Sequence, residues 1–209
     1  MKVYLETNFI LELALKQKEH HACEELRKLA EQSLVRLFIP AVSFAEAPIA
    51  VNNRYKKRMN VHEQVSQEIN ELSRMQDYTS SKETMKDLSN LLIESADQEK
   101  TNLASMWNSL ISSVTLIELN QNILQEAINK SHLDLSFQDS FVYASVKCHL
   151  QKDSSAVSAC FITRNSKDFG IRNADIGREL QGLNCKLLFS FENGFSFIRH
   201  TLGVSAHAS

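Results

Sequence analysis

Residues 160–169 read Cys-Phe-Ile-Thr-Arg-Asn-Ser-Lys-Asp-Phe, and the choice of fold turns on them. The run "ACFIT" at 159–163 is rich in aromatic and β-branched residues, which predicts a short strand. It stops at Arg164, Asn165 and Ser166, and Asp168 follows three residues after Asn165. Such a spacing serves a helix N-cap, and an acid just past a strand also serves a site at a sheet edge. The choice depends on what the rest of the chain brings to that edge.

Working outward, "KVYL" at 2–5 predicts a strand and residues 7–16 a helix, with Phe9, Ile10, Leu13 and Ala14 at helical spacing. A second helix is predicted over 19–33, with Ala22, Leu26, Leu29 and Ala30 on one face. "VRLFIP" predicts a strand ending at Pro40, and "AVSFAEAPIA" a strand-to-helix entry. From about 52 to 113 the pattern is helical. Val61, Val65, Ile69 and Leu72 form a stripe, continued by Met85, Leu88, Leu92, Leu103, Met106 and Leu110. Ser80 and Glu83 fit a capping box between them. "TLIEL" at 115–119 predicts a strand, 120–130 a helix, and 137–150 another, whose inner face is Phe141, Val142, Ala144, Ser145 and Cys148. "LNCKLLF" at 183–189 predicts the last strand. Strands separated by helices imply parallel pairing and an α/β sandwich. The expected organisation is one domain over 1–203, a helical insertion over about 52–113, and a flexible tail at 204–209.

The 209 residues suit one domain with an insertion, and 43% hydrophobic residues suffice for a sizeable core. A net charge of −2 gives no overall basic field, although a local patch would serve nucleic acid. All five glycines lie at Gly170 or later. That excludes a Walker A or GxGxxG phosphate loop in the first 169 residues. Cys23, Cys148, Cys160 and Cys185 have no CxxC spacing, so they suit reduced, mostly buried thiols rather than zinc. Glu6 interrupts the first apolar run, and no uncharged stretch is long enough to span a membrane. A cytoplasmic protein is therefore expected.

Four acids carry the candidate chemistry. Glu6 follows "KVYL", Glu46 follows "VRLFIPAVS", Asp168 follows "ACFITRN", and Asp139 opens the helix leading into that last strand. A parallel sheet would bring the three strand exits to one edge. Carboxylates without nearby Cys or His suit Mg²⁺ or Mn²⁺. Taken singly, Ser43-x-x-Glu46, Ser136-x-x-Asp139 and Asn165-x-x-Asp168 all fit helix capping, and capping is the commoner reason for such pairs. Against it, Pro48 would fall at the fifth position of a helix capped by Ser43, where its missing N–H matters. Glu6 has only Val3 three places earlier. Capping and metal binding are also compatible, because a helix N-terminus stabilises a carboxylate.

The segments "VYLETNFILELAL", "IPAVSFAEA", "LSFQDSFVYASV" and "CFITRNSKDF" occur in that order, and the chain resembles the PIN-domain ribonucleases, including the toxins of bacterial toxin–antitoxin pairs. The resemblance frames residues 2 to about 190. It implies a three-layer α/β/α sandwich with a mainly parallel central sheet and a metal-dependent endoribonuclease using Mg²⁺ or Mn²⁺. Glu6, Glu46, Asp139 and Asp168 would be its acidic metal-binding and catalytic cluster, with Thr7, Asn8, Ser43 and Asn165 orienting carboxylates or water. RNA would be the substrate, with a protein antitoxin or inhibitor and a homodimer as the partners the family implies. Two departures stand out. Glu6 occupies a position usually held by aspartate, and 52–113 exceeds a minimal domain of this kind. Both features favour an alternative, a non-catalytic PIN-like scaffold that binds RNA or a protein.

The stretch "NNRYKKR" places Arg54, Lys56, Lys57 and Arg58 around Tyr55. It suits contact with an RNA backbone and a stacked base, and equally a solvated helix face. None of the seven histidines has metal spacing with an acid, and His20-His21 fits a surface helix start. Met106 and Trp107 fit a core better than a base platform.

Overall fold

The computed structural model describes residues 1–129, 135–152 and 157–203. The expected tail at 204–209 lies outside the described residues, as does residue 130 at the end of the helix expected over 120–130. The described residues form two compact units, 1–47 with those of 107–203, and 48–106.

The first unit is built on strands β1 (Lys2–Tyr4), β2 (Arg36–Pro40), β3 (Thr115–Ile117), β4 (Ala159–Ile162) and β5 (Cys185–Leu188). They make one sheet in the order β3-β2-β1-β4-β5, and every pair is parallel. The strand predicted over 115–119 is the shorter β3. Tyr4 is in register with Phe38 on one side and Phe161 on the other, so three aromatic rings stand in a row on one face. Those rings pack with Ile123 and Ala127 of α5 (Gln121–Asn129), Phe141 and Val142 of α6 (Phe137–Lys152), and Ile176 and Leu180 of α7 (Ala174–Gly182). α6 buries every residue from Ser140 to Val146, so it is covered nearly all round rather than on the one inner face expected. The other sheet face carries α1 (Thr7–Leu15), α2 (His20–Glu31) and α8 (Phe191–Leu202), with Phe9 against Phe191 at 5.7 Å between centroids. With both faces covered, the three central strands β1, β2 and β4 are buried almost throughout, whereas the edge strands β3 and β5 are only partly so. The architecture is a three-layer α/β/α sandwich. Cys23, Cys160 and Cys185 are buried free thiols. No helix of the described residues is long and apolar enough to cross a membrane.

Two long helices, α3 (Ala41–Leu72) and α4 (Lys82–Ser113), run through the second unit and are joined by a 3₁₀ turn at Gln76–Ser81. Ile69, Ala96 and Leu103 are buried there, whereas Val61 and Val65 of the expected stripe are partly exposed and Leu88 is exposed. A pair of helices buries only its narrow seam, so a wide apolar stripe cannot all be covered. Inside this unit Arg54 and Arg58 both pair with Glu99, at 3.1 and 2.8 Å, and the Lys100 ammonium lies over the Tyr55 ring.

One local expectation is corrected. α3 begins at Ala41, directly after Pro40, so Ser43 is its third residue and not its N-cap. Pro48 is the eighth residue rather than the fifth, and it is exposed inside the helix. The strand-to-helix entry is abrupt because Pro40 ends the strand and Ala41 onward continues without a turn residue. α7, α8 and a π-helical turn at Lys167–Ile171 were not anticipated. Gly177, Gly182 and Gly194 lie within α7 and α8, and glycine weakens a helical pattern in sequence.

Candidate functional site

In the strand order the chain moves outward from β1 to β2 and β3, then returns to the opposite side of β1 with β4. The carboxyl ends of β1 and β4 therefore flank a topological switch point, where open α/β sheets bind ligands. Glu6 leaves β1 and Thr163 to Asp168 leave β4 at this point.

Glu6 is 7% exposed, and its carboxylate is fully engaged. It is the N-cap of α1, accepting from the Asn8 backbone N–H at 2.9 Å and from Asn8 Nδ2 at 2.7 Å. Thr163 Oγ1 and the Arg164 N–H donate to Oε1 at 3.3 and 3.4 Å, the oxygen that Asn8 Nδ2 also reaches. Glutamate is an unusual N-cap, so its extra methylene hid this role from the spacing rules. Burial pushes its pKa up, and the hydrogen bonds from Asn8, Arg164 and Thr163 pull it back.

Glu46 is the sixth residue of α3, and Thr7 Oγ1 donates to its Oε2. Ser136 stands just before α6. Its Oγ accepts from the Asp139 N–H at 3.1 Å and donates to Asp139 Oδ2 at 2.7 Å. Asn165 joins two segments: its Nδ2 donates to Asp139 Oδ2 at 3.2 Å and to Asp168 Oδ2 at 2.9 Å. Its Oδ1 accepts the Asp168 N–H at 3.2 Å. Arg172 donates to Asp168 Oδ1 at 3.1 Å. Thr7, Asn8 and Asn165 thus each donate to a candidate acid, whereas Ser43 does not. Its Oγ is buried with no hydrogen-bond partner among the described residues, one helical turn before Glu46.

Glu46, Asp139 and Asp168 are linked by charge through Asp139. Burial raises the Glu46 pKa, the Thr7 hydroxyl opposes this, and the Asp139 charge adds to it. Burial likewise raises Asp139, Ser136 and Asn165 oppose it, and Asp168 adds to it. Each carboxylate is nevertheless held by its own hydroxyl or amide. Among the described residues, no group of three or more His, Cys, Asp or Glu side chains stands in an arrangement that could hold a metal ion. The donor chemistry still fits a hard divalent cation: mutually repelling carboxylates, no His or Cys, and a partnerless buried hydroxyl at Ser43.

Residues the sequence did not single out complete the surroundings. Glu12 of α1 is 0% exposed and pairs with the Arg164 guanidinium, which ties the β4 exit to α1. Thr163 is also fully buried. Only Thr163 had a local signal, its place at the strand end. The expected basic stretch is in the second unit, with Arg54 and Arg58 engaged by Glu99 and with Lys56 and Lys57 exposed. A cavity of about 710 Å³ lies against β5 and α7, lined by Gly177, Gln181, Lys186 and Phe189 among others, and none of the four acids lines it.

Neither a curated protein nor a solved structure matches the chain. The PIN-domain family model matches residues 3–169, a span that holds all four acids, so the chain belongs to the PIN-domain family, whose fold is of nuclease type.

Proposed function

We propose that the protein is a Mg²⁺- or Mn²⁺-dependent endoribonuclease, in a toxin-type or RNA-processing role. The observation that carries the reading is the Asn165 amide, which clasps Asp139 and Asp168 from separate segments while Asp139 in turn feels Asp168 and is felt by Glu46. Asp139, Asp168 and Glu46 are the residues that would hold the cation, with Glu6 beside them at the end of β1. A bound divalent ion supplies an activated water and neutralises charge building on the phosphate. The chain's own residues do the positioning. Thr7 aims the Glu46 carboxylate, Asn165 sets the spacing of the two aspartates, and Asn8 with the Arg164 N–H fixes Glu6. Lys56 and Lys57, exposed on α3, are available to RNA phosphates. A toxin role would bring a protein antitoxin as partner, and a homodimer belongs to the same reading.

Two observations favour a second reading, a non-catalytic scaffold that binds RNA or a protein. Glu6 is saturated by helix-cap hydrogen bonds, and the acids do not close about a common point. Incubation of assorted single-stranded RNAs with Mn²⁺, with and without chelator, separates the two. The nuclease reading expects chelator-sensitive cleavage and a melting temperature raised by Mn²⁺. Both responses should vanish in the Asp139→Asn/Asp168→Asn double variant. RNA binding without cleavage would leave the scaffold standing, and an unchanged metal response in the double variant would sink the proposed site.

A further inference from the structure

Glu12, at 0% exposed, is the most deeply buried charged side chain of the described residues. Its Oε1 pairs with the Arg164 guanidinium, which comes from 152 positions further along the chain. Its Oε2 accepts the Glu19 N–H at 2.8 Å, and the Glu19 carboxylate accepts the Phe191 N–H at the start of α8. The carboxylate is therefore fixed by α1, which carries it, and by the residue that precedes α2. Arg164 is 39% exposed, so one half-wet cation is gripped by an anion that water does not reach.

Arg164 is the middle of three residues whose bonds run to three of the four acids. The Thr163 N–H still bonds to Leu188 O of β5, at 3.0 Å. The next two N–H groups leave the sheet: that of Arg164 donates to Glu6 Oε1 at 3.4 Å, and that of Asn165 to Thr163 Oγ1 at 3.0 Å. Thr163 Oγ1 itself donates to Glu6 Oε1 at 3.3 Å. Asn165 Nδ2 donates to Asp139 at 3.2 Å and to Asp168 at 2.9 Å. Residues 163–165 thus hold Glu6 on one side and the two aspartates on the other. The ion pair to α1 is the only side-chain bond that ties the middle residue down. Stability is a weak reason for such a pair, because the cost of taking two charges out of water offsets their attraction. A defined geometry is the better reason.

We propose that Glu12 and Arg164 are positioning residues of the acidic site. The guanidinium, gripped at α1, sets the path of residues 163–165 and hence the places of Glu6, Asp139 and Asp168 relative to one another. Neither residue is a ligand in this scheme. The inference rests on the metal-dependent reading and adds to it a part of the machinery outside the acids and their direct donors.

The decisive variant is Glu12→Gln/Arg164→Met in the full chain. It strands no charge, the Gln carbonyl still accepts the Glu19 N–H, and Met follows the apolar path of the arginine stem. Two readouts are taken. In metal-free protein, NMR follows solvent exchange of the Asn165 side-chain amide, which should be slow in the wild type and as fast as a free Asn in the double variant. With metal, the EPR signal of free Mn²⁺ gives the binding affinity. It should weaken about 10- to 100-fold, as for other partners that orient ligands, while the melting temperature without metal is unchanged or raised. Arg164→Lys keeps the charge on Glu12 but loses the planar fork, so its affinity should fall between those of the wild type and the double variant. Should the double variant not fold, Arg164→Lys decides. Unchanged Asn165 exchange and Mn²⁺ affinity in the folded variant would overturn the inference and leave the metal site standing. An affinity that falls with the melting temperature and recovers on cooling would make the pair merely structural, and would also overturn it. A wild type that binds no Mn²⁺, with Asn165 freed in the double variant, would sink the nuclease reading and keep the anchor.

Discussion

Ser43 separates stability from function more cleanly than the acids do. Its hydroxyl is buried and partnerless, and leaving such a group unmade costs on the order of 1–3 kcal/mol. Ser43→Ala should therefore leave the melting temperature unchanged or raise it slightly. In the metal-dependent reading the hydroxyl serves the site one turn from Glu46, so Mn²⁺-dependent cleavage should fall about tenfold or more, as for loss of one oriented polar group at a metal site. Equal cleavage by the variant and the wild type would remove Ser43 from the machinery. The residue scale is also where the sequence was least legible. Spacing marked Ser136 with Asp139 and Asn165 with Asp168 as reciprocal pairs, and the structure contains both. Spacing could not show that Asn165 reaches Asp139, because that bond spans 26 residues. It also misplaced Ser43 as a cap and missed Glu6 as one, since the cap rules weigh residue type and the local backbone outvoted type in both cases.

At the scale of elements, the interior of the sheet was readable because parallel strands are short continuous apolar runs. The five predicted strands all occur, within two residues at their ends. α7 and α8 were less readable because glycine interrupts their patterns, and in α8 that glycine has a packing reason. A methyl group on Gly194 would overlap Ile162 Cδ1 and stand 3.0 Å from Ile162 Cγ1 on β4, and Ile162 is fully buried. Alanine would gain about 1 kcal/mol of helix propensity. Overpacking a tight core costs about 1–3 kcal/mol. The clash should win, so Gly194→Ala is expected to lower the melting temperature by roughly 2–8 °C. Gly182→Ala is the control: nothing lies within 4 Å of the added carbon, and the substitution should be neutral or mildly stabilising. Thermal melts of the two variants decide it. An equal response at both positions would mean that α8 does not press on β4 as described.

Across the whole molecule, the sheet order carries more of the functional argument than any single motif. Four segments far apart in sequence meet because β1 sits at the centre of the order and β4 returns beside it. The α/β class was legible from the alternation of strands and helices. The division of the chain was only partly so, because helical periodicity runs unbroken through α3 and α4 while the compact second unit takes only Pro48–Met106 of them. Charge is the remaining global term. With a net charge of −2, any affinity for RNA must come from local cations. Arg54 and Arg58 are spent on Glu99, which leaves Lys56 and Lys57 as the exposed cations of that stretch. If both touch phosphates, the double variant Lys56→Ala/Lys57→Ala should bind RNA more weakly at low salt. Its slope of log affinity against log salt should be shallower by about 1.4, from about 0.7 per phosphate contact on a single strand. Fluorescence titrations at several salt concentrations measure that slope. A slope equal to the wild type's would make the stretch a solvated helix face and confine RNA contacts to the unit that carries the acids.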